Sequence, residues 1–165
     1  EIRARHEDCV VVRVAACSVN YADVTIRWGL YESALRYIGW PIVPGFDLAG
    51  TVEHSAEDMR EGEQVYGFSL FGAYSSRVVV PRRQLLRKPD HLSATEAAAL
   101  PAVAGTALHA LALANLWPRP PVTRTKAVLI HSAAGGVGSM ITQMCRIMGC
   151  EPIVAVVGGA HKMQA

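Results

Sequence analysis

The sequence predicts an α/β protein built in two parts, a strand-rich first part and then the opening of a parallel βαβ unit. Three observations carry that prediction. Short apolar runs separated by Gly and Pro turns fill residues 1–90. Helical periodicity replaces them from residue 93, and near residue 131 a Gly-rich turn sits between an apolar strand and an amphipathic helix.

Composition narrows the class. Of the 165 residues 51% are apolar and 18% charged, with mean hydropathy just above zero, which excludes a disordered chain. The 16 basic and 14 acidic residues leave a net charge of +2, so no basic footprint marks a nucleic-acid or membrane-surface partner. No run reaches the roughly 18 to 20 apolar residues of a membrane span. The first eight residues, Glu-Ile-Arg-Ala-Arg-His-Glu-Asp, are charged from the start, unlike a signal peptide. Cys9, Cys17, Cys145 and Cys150 include no pair two or three residues apart, so they spell neither a zinc ribbon nor a redox pair. They read as buried, reduced thiols of a cytoplasmic protein.

Each element has its own signal. Val10–Ala15 is a β-branched run suited to a buried strand. Leu48–Glu53, Gln64–Phe68 and Ser76–Val80 are further short strands, parted by Pro41, Pro44-Gly45, Glu61-Gly62-Glu63, Gly72 and Pro81. Many short strands with such turns predict a small barrel or sandwich, interrupted by one helix near Tyr21–Arg27. Ser93-Ala-Thr-Glu96 is a capping-box pattern leading into the helix Ala97–Leu100. A second helix runs from Thr106 to Leu116, and residues 117–125 are a Pro-rich linker. Lys126–His131 is a short apolar strand; the helix after it carries Val137, Met140, Ile141, Met144 and Met148 on one side and ends at Gly149. Ile153–Val157 closes the βαβ unit. The first strand pattern is under way by residue 9 and the last residues read as an unfinished first helical turn, so the chain reads as a fragment.

The strongest chemical signal is His131-Ser-Ala133-Ala134-Gly135-Gly136-Val137-Gly138. Ala133, Gly135 and Gly138 occupy the three positions of a dinucleotide fingerprint, directly after a strand and opening a helix. Small residues there let the backbone turn, let a pyrophosphate approach, and let helix meet strand, while the helix N-terminus offers amides to the phosphates. The alternative is a Gly-rich turn in another α/β fold. The second strand ends Val156-Val157-Gly158-Gly159 with no acid for a ribose hydroxyl, and Lys162 follows. A missing carboxylate with a cation beside it fits a 2′-phosphate, so NADPH is expected rather than NADH. The basic pairs Arg82-Arg83 and Arg87-Lys88 read as a solvated face, since no stacking aromatics interleave with them.

Five segments together resemble the medium-chain dehydrogenase/reductase superfamily, in its zinc-independent quinone-oxidoreductase branch with VAT-1-like and enoyl-reductase-like relatives. They are Val14-Ala-Ala-Cys-Ser-Val-Asn20-Tyr-Ala-Asp23, Pro44-Gly-Phe-Asp-Leu-Ala-Gly-Thr-Val52, Gly62-Glu-Gln-Val-Tyr-Gly67, Glu96–Pro101 with Thr106-Ala107, and Leu129 to Arg146. The resemblance implies a GroES-like β-barrel catalytic domain over residues 1–104, incomplete here. A truncated Rossmann NADP-binding domain follows over residues 105–165, with the active site in a cleft between the two. It implies that Asn20 and Tyr31 are catalytic, and that Thr106, Ala134, Gly135, Gly136, Val137 and Lys162 bind the cofactor. Without the resemblance, Asn20 reads equally well as a left-handed turn residue. Thr25 stands where the family carries a second Tyr. Where zinc enzymes of the superfamily place Cys and a His-Glu pair, this chain has Asn20, Phe46 and Asp47, so no metal is expected. The implied activity is NADPH-dependent transfer of hydride to a quinone or α,β-unsaturated carbonyl, in a full-length protein expected to be a homodimer. A non-catalytic VAT-1-like interaction protein and an enoyl-reductase segment of a larger synthase are the alternatives. As a fragment, the chain alone is expected to bind NADPH poorly.

Overall fold

The computed structural model describes residues 8–54, 58–117 and 126–163. They form two compact units, divided between Ala102 and Val103. The linker expected over residues 117–125 lies, apart from Trp117, outside the described residues.

The first unit is an antiparallel sheet of five strands in the order β4-β1-β2-β3-β5. These are β1 (Cys9–Cys17), β2 (Asp47–His54), β3 (Gln64–Phe68), β4 (Arg77–Pro81) and β5 (Leu85–Arg87). Alternation along β1 and β2 explains why the sheet is buried on both sides. Val10, Val12, Leu48 and Val52 point into one core with Met59, Val65, Val80 and Leu85, whereas Ala49 points to the other face, against Ala97 and Ala98. The second contact is made by α3 (Ala94–Ala98), which sits close to the sheet because only alanines intervene. Two register shifts in β1 opposite β2, at Val11/Val12 and Val14/Ala16, bend the strand before it delivers Ser18 and Asn20.

Between β1 and β2 lie α1 (Tyr21–Arg27) and α2 (Glu32–Tyr37). The first matches the sequence reading. The second was not read, because its six residues carry too little periodicity to register. Strand β5 was missed for the same reason of length, at three residues. The capping box at α3 is present: Ser93 Oγ accepts from the Glu96 N–H at 3.2 Å and the Glu96 carboxylate accepts from the Ser93 N–H at 2.8 Å. The next helix, α4 (Pro101–Leu113), starts five residues earlier than expected, with Pro101 at the first position, where its missing N–H costs nothing.

The second unit holds β6 (Val128–His131), α5 (Gly136–Ile147) and β7 (Ile153–Val156), with β6 and β7 parallel. Its core gathers Leu111 and Leu116, Ile130 and Ala133, and Cys145 and Cys150. Gly149, at φ +73°, ends α5 in the left-handed conformation that glycine adopts most readily. A 3₁₀ turn, Ala160–Lys162, follows β7 where an opening helical turn was expected.

The cysteine reading needs one correction. Cys145 and Cys150 are buried, but Cys9 is half-buried and Cys17 is exposed, because β1 turns its odd residues outward towards its end. The basic residues near β4 and β5 are engaged rather than merely solvated: Arg82 pairs with Asp58 and Arg87 with Glu63. Among the described residues no helix is long and apolar enough to cross a membrane.

Two outcomes follow. Leu48→Ala, which empties a fully buried site, lowers stability by about 2–5 kcal/mol in a denaturant titration. The hydrogen bonds from Ser93 hold the Glu96 carboxyl below its ordinary 4.5, so its contribution is present above that pH and lost as pH falls through the lowered value. Thermal melts from pH 7 to 3 therefore fall more steeply for the wild type than for Glu96→Gln.

Candidate functional site

In the first unit the candidate residues converge on the dipeptide Phe46-Asp47 at the start of β2. Asp47 is fully buried. Its Oδ2 accepts from the Ser18 hydroxyl at 2.5 Å and from the Asn20 amide at 2.9 Å, and its Oδ1 accepts from the Ala102 N–H at 2.8 Å. Asn20 Nδ2 donates a second bond to Ser18 Oγ at 2.9 Å. Ser18, Asn20 and Asp47 thus close a three-membered ring of hydrogen bonds, with the carboxylate also set against the first turn of α4.

Asn20 is the N-cap of α1, in extended conformation at φ −110° and ψ 157°. The reading of it as a left-handed turn residue therefore does not hold. Asp23 completes a capping box, its Oδ2 accepting from the Asn20 N–H at 2.8 Å. Asp23 is itself buried, and its Oδ1 accepts from the Gly45 N–H at 2.9 Å. Gly45 has φ +97°, and a Cβ there would fall 2.4 Å from the ring of Tyr74. Desolvation, with a hydrogen bond to Asp23 second, pushes the Tyr74 phenol up to about 12.

Tyr31 is the N-cap of α2 and half-buried. Its ring lies 5.9 Å from that of Phe46 and 6.1 Å from that of Phe71, and Phe46 stacks on Phe68 at 5.5 Å. Asn20 and Tyr31 are therefore held by adjacent residues, one by hydrogen bonds and the other by aromatic packing. Phe46 cannot ligate a metal, and among the described residues no three His, Cys, Asp or Glu side chains gather to hold one.

In the second unit the Gly-rich turn leaves β6 and opens α5. The Ala133 N–H donates to Val156 O and the Gly135 N–H to Ser132 O, which folds the turn against the strand end. Space dictates the glycines. A Cβ on Gly138 would lie 2.2 Å from Ser132 O and 2.8 Å from Ala133 Cα, and one on Gly136 would lie 2.9 Å from the Val103 side chain. Helix α4 therefore runs beside the turn, and Thr106 stands exposed one helical turn beyond Val103.

A cleft of about 370 Å³ is lined by Ala133, Ala134, Ser139, Thr142, Arg146 and Lys162, among others. It brings Ala134 and Lys162 together; Gly135, Gly136 and Val137 follow in the chain, outside its lining. The donor set fits a nicotinamide dinucleotide: a Cβ-free cradle, the first amides of a 12-residue helix without intrahelical partners, and a cation in the adjoining cleft.

The sequence reading missed Ser18, Asp23 and Tyr74 as parts of the site and took Asp47 only as a position lacking a zinc ligand. Two signals were available. Asn20-x-x-Asp23 is a capping-box spacing, and a carboxylate entering the apolar run Leu48–Val52 must find buried donors.

The glycine geometry ranks substitutions. Gly138→Ala costs about 1–3 kcal/mol, since backbone atoms would have to move. Gly135→Ala, whose Cβ would meet Ser132 O at 3.2 Å, costs less. Thermal unfolding of the two variants checks the order.

Residues 6–90 match the alcohol dehydrogenase GroES-like domain. The mouse synaptic vesicle membrane protein VAT-1 homolog-like is 34% identical over 153 residues, covering 90% of this chain and 34% of that protein. Two solved structures are similar across nearly all of the chain and half of their own. The CurK enoyl reductase has a TM-score of 0.87 at 27% identity over 99% of this chain and 50% of its own. The quinone oxidoreductase of Thermus thermophilus, solved also with NADPH, has a TM-score of 0.77 at 33% identity over 98% and 50%. The chain thus spans about half or less of the length of these three proteins. With the motif order, the GroES-like match and these relatives in agreement, the chain belongs to the medium-chain dehydrogenase/reductase superfamily, in its zinc-independent quinone-oxidoreductase branch.

Proposed function

We propose that this chain is part of an NADPH-dependent, zinc-independent oxidoreductase acting on a quinone or an α,β-unsaturated carbonyl. The observation that carries the reading is the Gly135–Gly138 turn, opening α5 next to a cleft that holds Lys162 and no carboxylate. Lys162 suits a 2′-phosphate, and the missing acid leaves a ribose 2′-hydroxyl without its usual partner. Names of relatives agree in kind: the Thermus thermophilus protein is described as a quinone oxidoreductase with an NADPH complex, and CurK as an enoyl reductase.

When bound, NADPH supplies the hydride. In this reading Ala134, Gly135, Gly136 and Val137 present small side chains and backbone amides to the pyrophosphate, and Thr106 lies towards the nicotinamide end. Lys162 reads the 2′-phosphate. Asn20, held by Asp47, and Tyr31, held by Phe46 and Phe71, orient the reacting groups, and Tyr31 offers a phenolic proton. An acceptor that is already electrophilic needs positioning and hydrogen bonding more than a Lewis acid. That demand suits a position filled by Asn20, Phe46 and Asp47. The four free cysteines are compatible with a reducing, cytoplasmic location.

The test is a fluorescence titration of the full-length protein with NADPH and with NADH. NADPH binds more tightly, and Lys162→Ala removes about tenfold of the NADPH affinity while leaving NADH binding unchanged, as loss of a charge-assisted contact predicts. Equal binding of both cofactors, or none, overturns the reading.

A further inference from the structure

The far end of α5 brings two of the four cysteines into one motif. Cys145 is the third residue from the end of the helix and Cys150 the second beyond its cap, Met148. The Cys150 N–H donates to Cys145 O at 2.9 Å and the Gly149 N–H to Arg146 O at 3.0 Å, with Gly149 left-handed. This pair of bonds is a Schellman closure, in which the side chains at those two positions commonly touch. Ordinary bond lengths on either side of the first hydrogen bond hold the two Cα atoms to at most about 6.8 Å, within the span a disulfide bridges. Both side chains belong to one buried cluster, Cys145 fully enclosed and Cys150 7% exposed. Cys9 and Cys17 offer no such pair: they stand at the two ends of the nine-residue β1, roughly 26 Å apart.

We propose that Cys145 and Cys150 form a peroxide-responsive dithiol, which oxidises to a disulfide across the end of α5. Cys150, the one open to solvent, reacts first. Its thiolate sulfur attacks one peroxide oxygen, the O–O bond breaks, and a sulfenic acid forms while the departing hydroxide takes up a proton to become water. Cys145 then attacks the Cys150 sulfur. The S–S bond forms, the S–O bond breaks, and the second hydroxide leaves as water with the Cys145 proton. Two thiols lose two electrons and two protons between them, and one peroxide is reduced to two waters. Cys145 is suited to the second role. Burial, with the adjoining Cys150 adding to it, raises its thiol, so it stays protonated until a sulfenic acid lies against it. The gain is reversibility. A sulfenic acid with no thiol in reach passes to sulfinic acid, which dithiols do not reduce. Disulfides of this transient, sensing kind are the ones reducing compartments tolerate. The chemistry requires no nicotinamide cofactor, so it stands apart from the reading in the preceding section.

Arg146 lies between the two cysteines and makes the test direct. The reduced full-length protein is treated with hydrogen peroxide until about half of Cys150 has reacted. Free thiols are blocked with N-ethylmaleimide, and the protein is digested with trypsin without reductant. Cleavage after Lys126, Arg146 and Lys162 puts the cysteines on separate peptides, residues 127–146 and 147–162. A disulfide joins these two, lighter than their sum by two hydrogens, and dithiothreitol parts them. The joined pair holds most of the reacted Cys150. In Cys145→Ala the same treatment carries Cys150 to sulfinic and sulfonic acid, raising the share of those products about tenfold or more over wild type. Wild-type Cys150 recovered mainly as sulfinic acid, or joined to a cysteine other than Cys145, overturns the proposal. So does a Cys150 still reduced after about ten times the peroxide exposure that consumes the exposed Cys17. Should Cys145→Ala fail to fold, the wild-type peptide map decides alone.

Discussion

One buried carboxylate organises the first unit. Asp47 is cut off from water and held by three neutral donors, from the end of β1, the cap of α1 and the first turn of α4. Burying such a group is costly unless each oxygen is satisfied, and here both are. The three donors come from segments that have no other reason to meet at one point. Removing the carboxylate would leave them facing one another, so the local fold and the conformation of Asn20 depend on the same atom. Phe46, its neighbour in the chain, does the equivalent for Tyr31 through ring packing. A strand start thus sets two candidate side chains by two different forces, one directional and short-ranged, the other set by shape.

The second unit solves a different problem with the opposite means. Its candidate site is made mostly of what is missing: side chains absent at Gly135, Gly136 and Gly138 let the backbone close on itself and on Val103. The 2.2 Å approach between Ser132 O and a Cβ on Gly138 is a constraint of backbone on backbone, which no rotamer relieves. Positive character at such a site comes from the peptide dipoles of α5 together with Arg146 and Lys162, which line the adjoining cleft. Lys162 adds its charge from a short 3₁₀ turn at the far side of the cleft.

This division explains what could be read from the sequence. Patterns repeated over several residues were legible: the β-branched run of β1, the Ser93–Glu96 cap, the apolar stripe of α5, and the glycine turn between strand and helix. The brevity of α2 and β5 hid them, since a single helical turn or three strand residues complete no period. Alternation in β1 turns Cys17 outside, whereas the apolar look of the run argued for burial. In the site, Asn20 and the glycine turn were visible because each belongs to a contiguous motif. The ring of Ser18, Asn20 and Asp47 was not, because its members meet across 27 to 29 residues and only the pairing of β1 with β2 brings them together.

The uneven burial of the four cysteines has a practical side. Cys145 is enclosed, and burial together with its neighbour Cys150 pushes its thiol up to about 11, so it carries little thiolate at neutral pH. Cys17 is exposed and lies one residue before Ser18, the hydroxyl that closes the ring on Asp47. A maleimide dye added at neutral pH therefore reaches Cys17 well before the buried pair. With Cys9 replaced, this chain offers a single attachment point for an optical reporter, beside the side chains whose arrangement matters most.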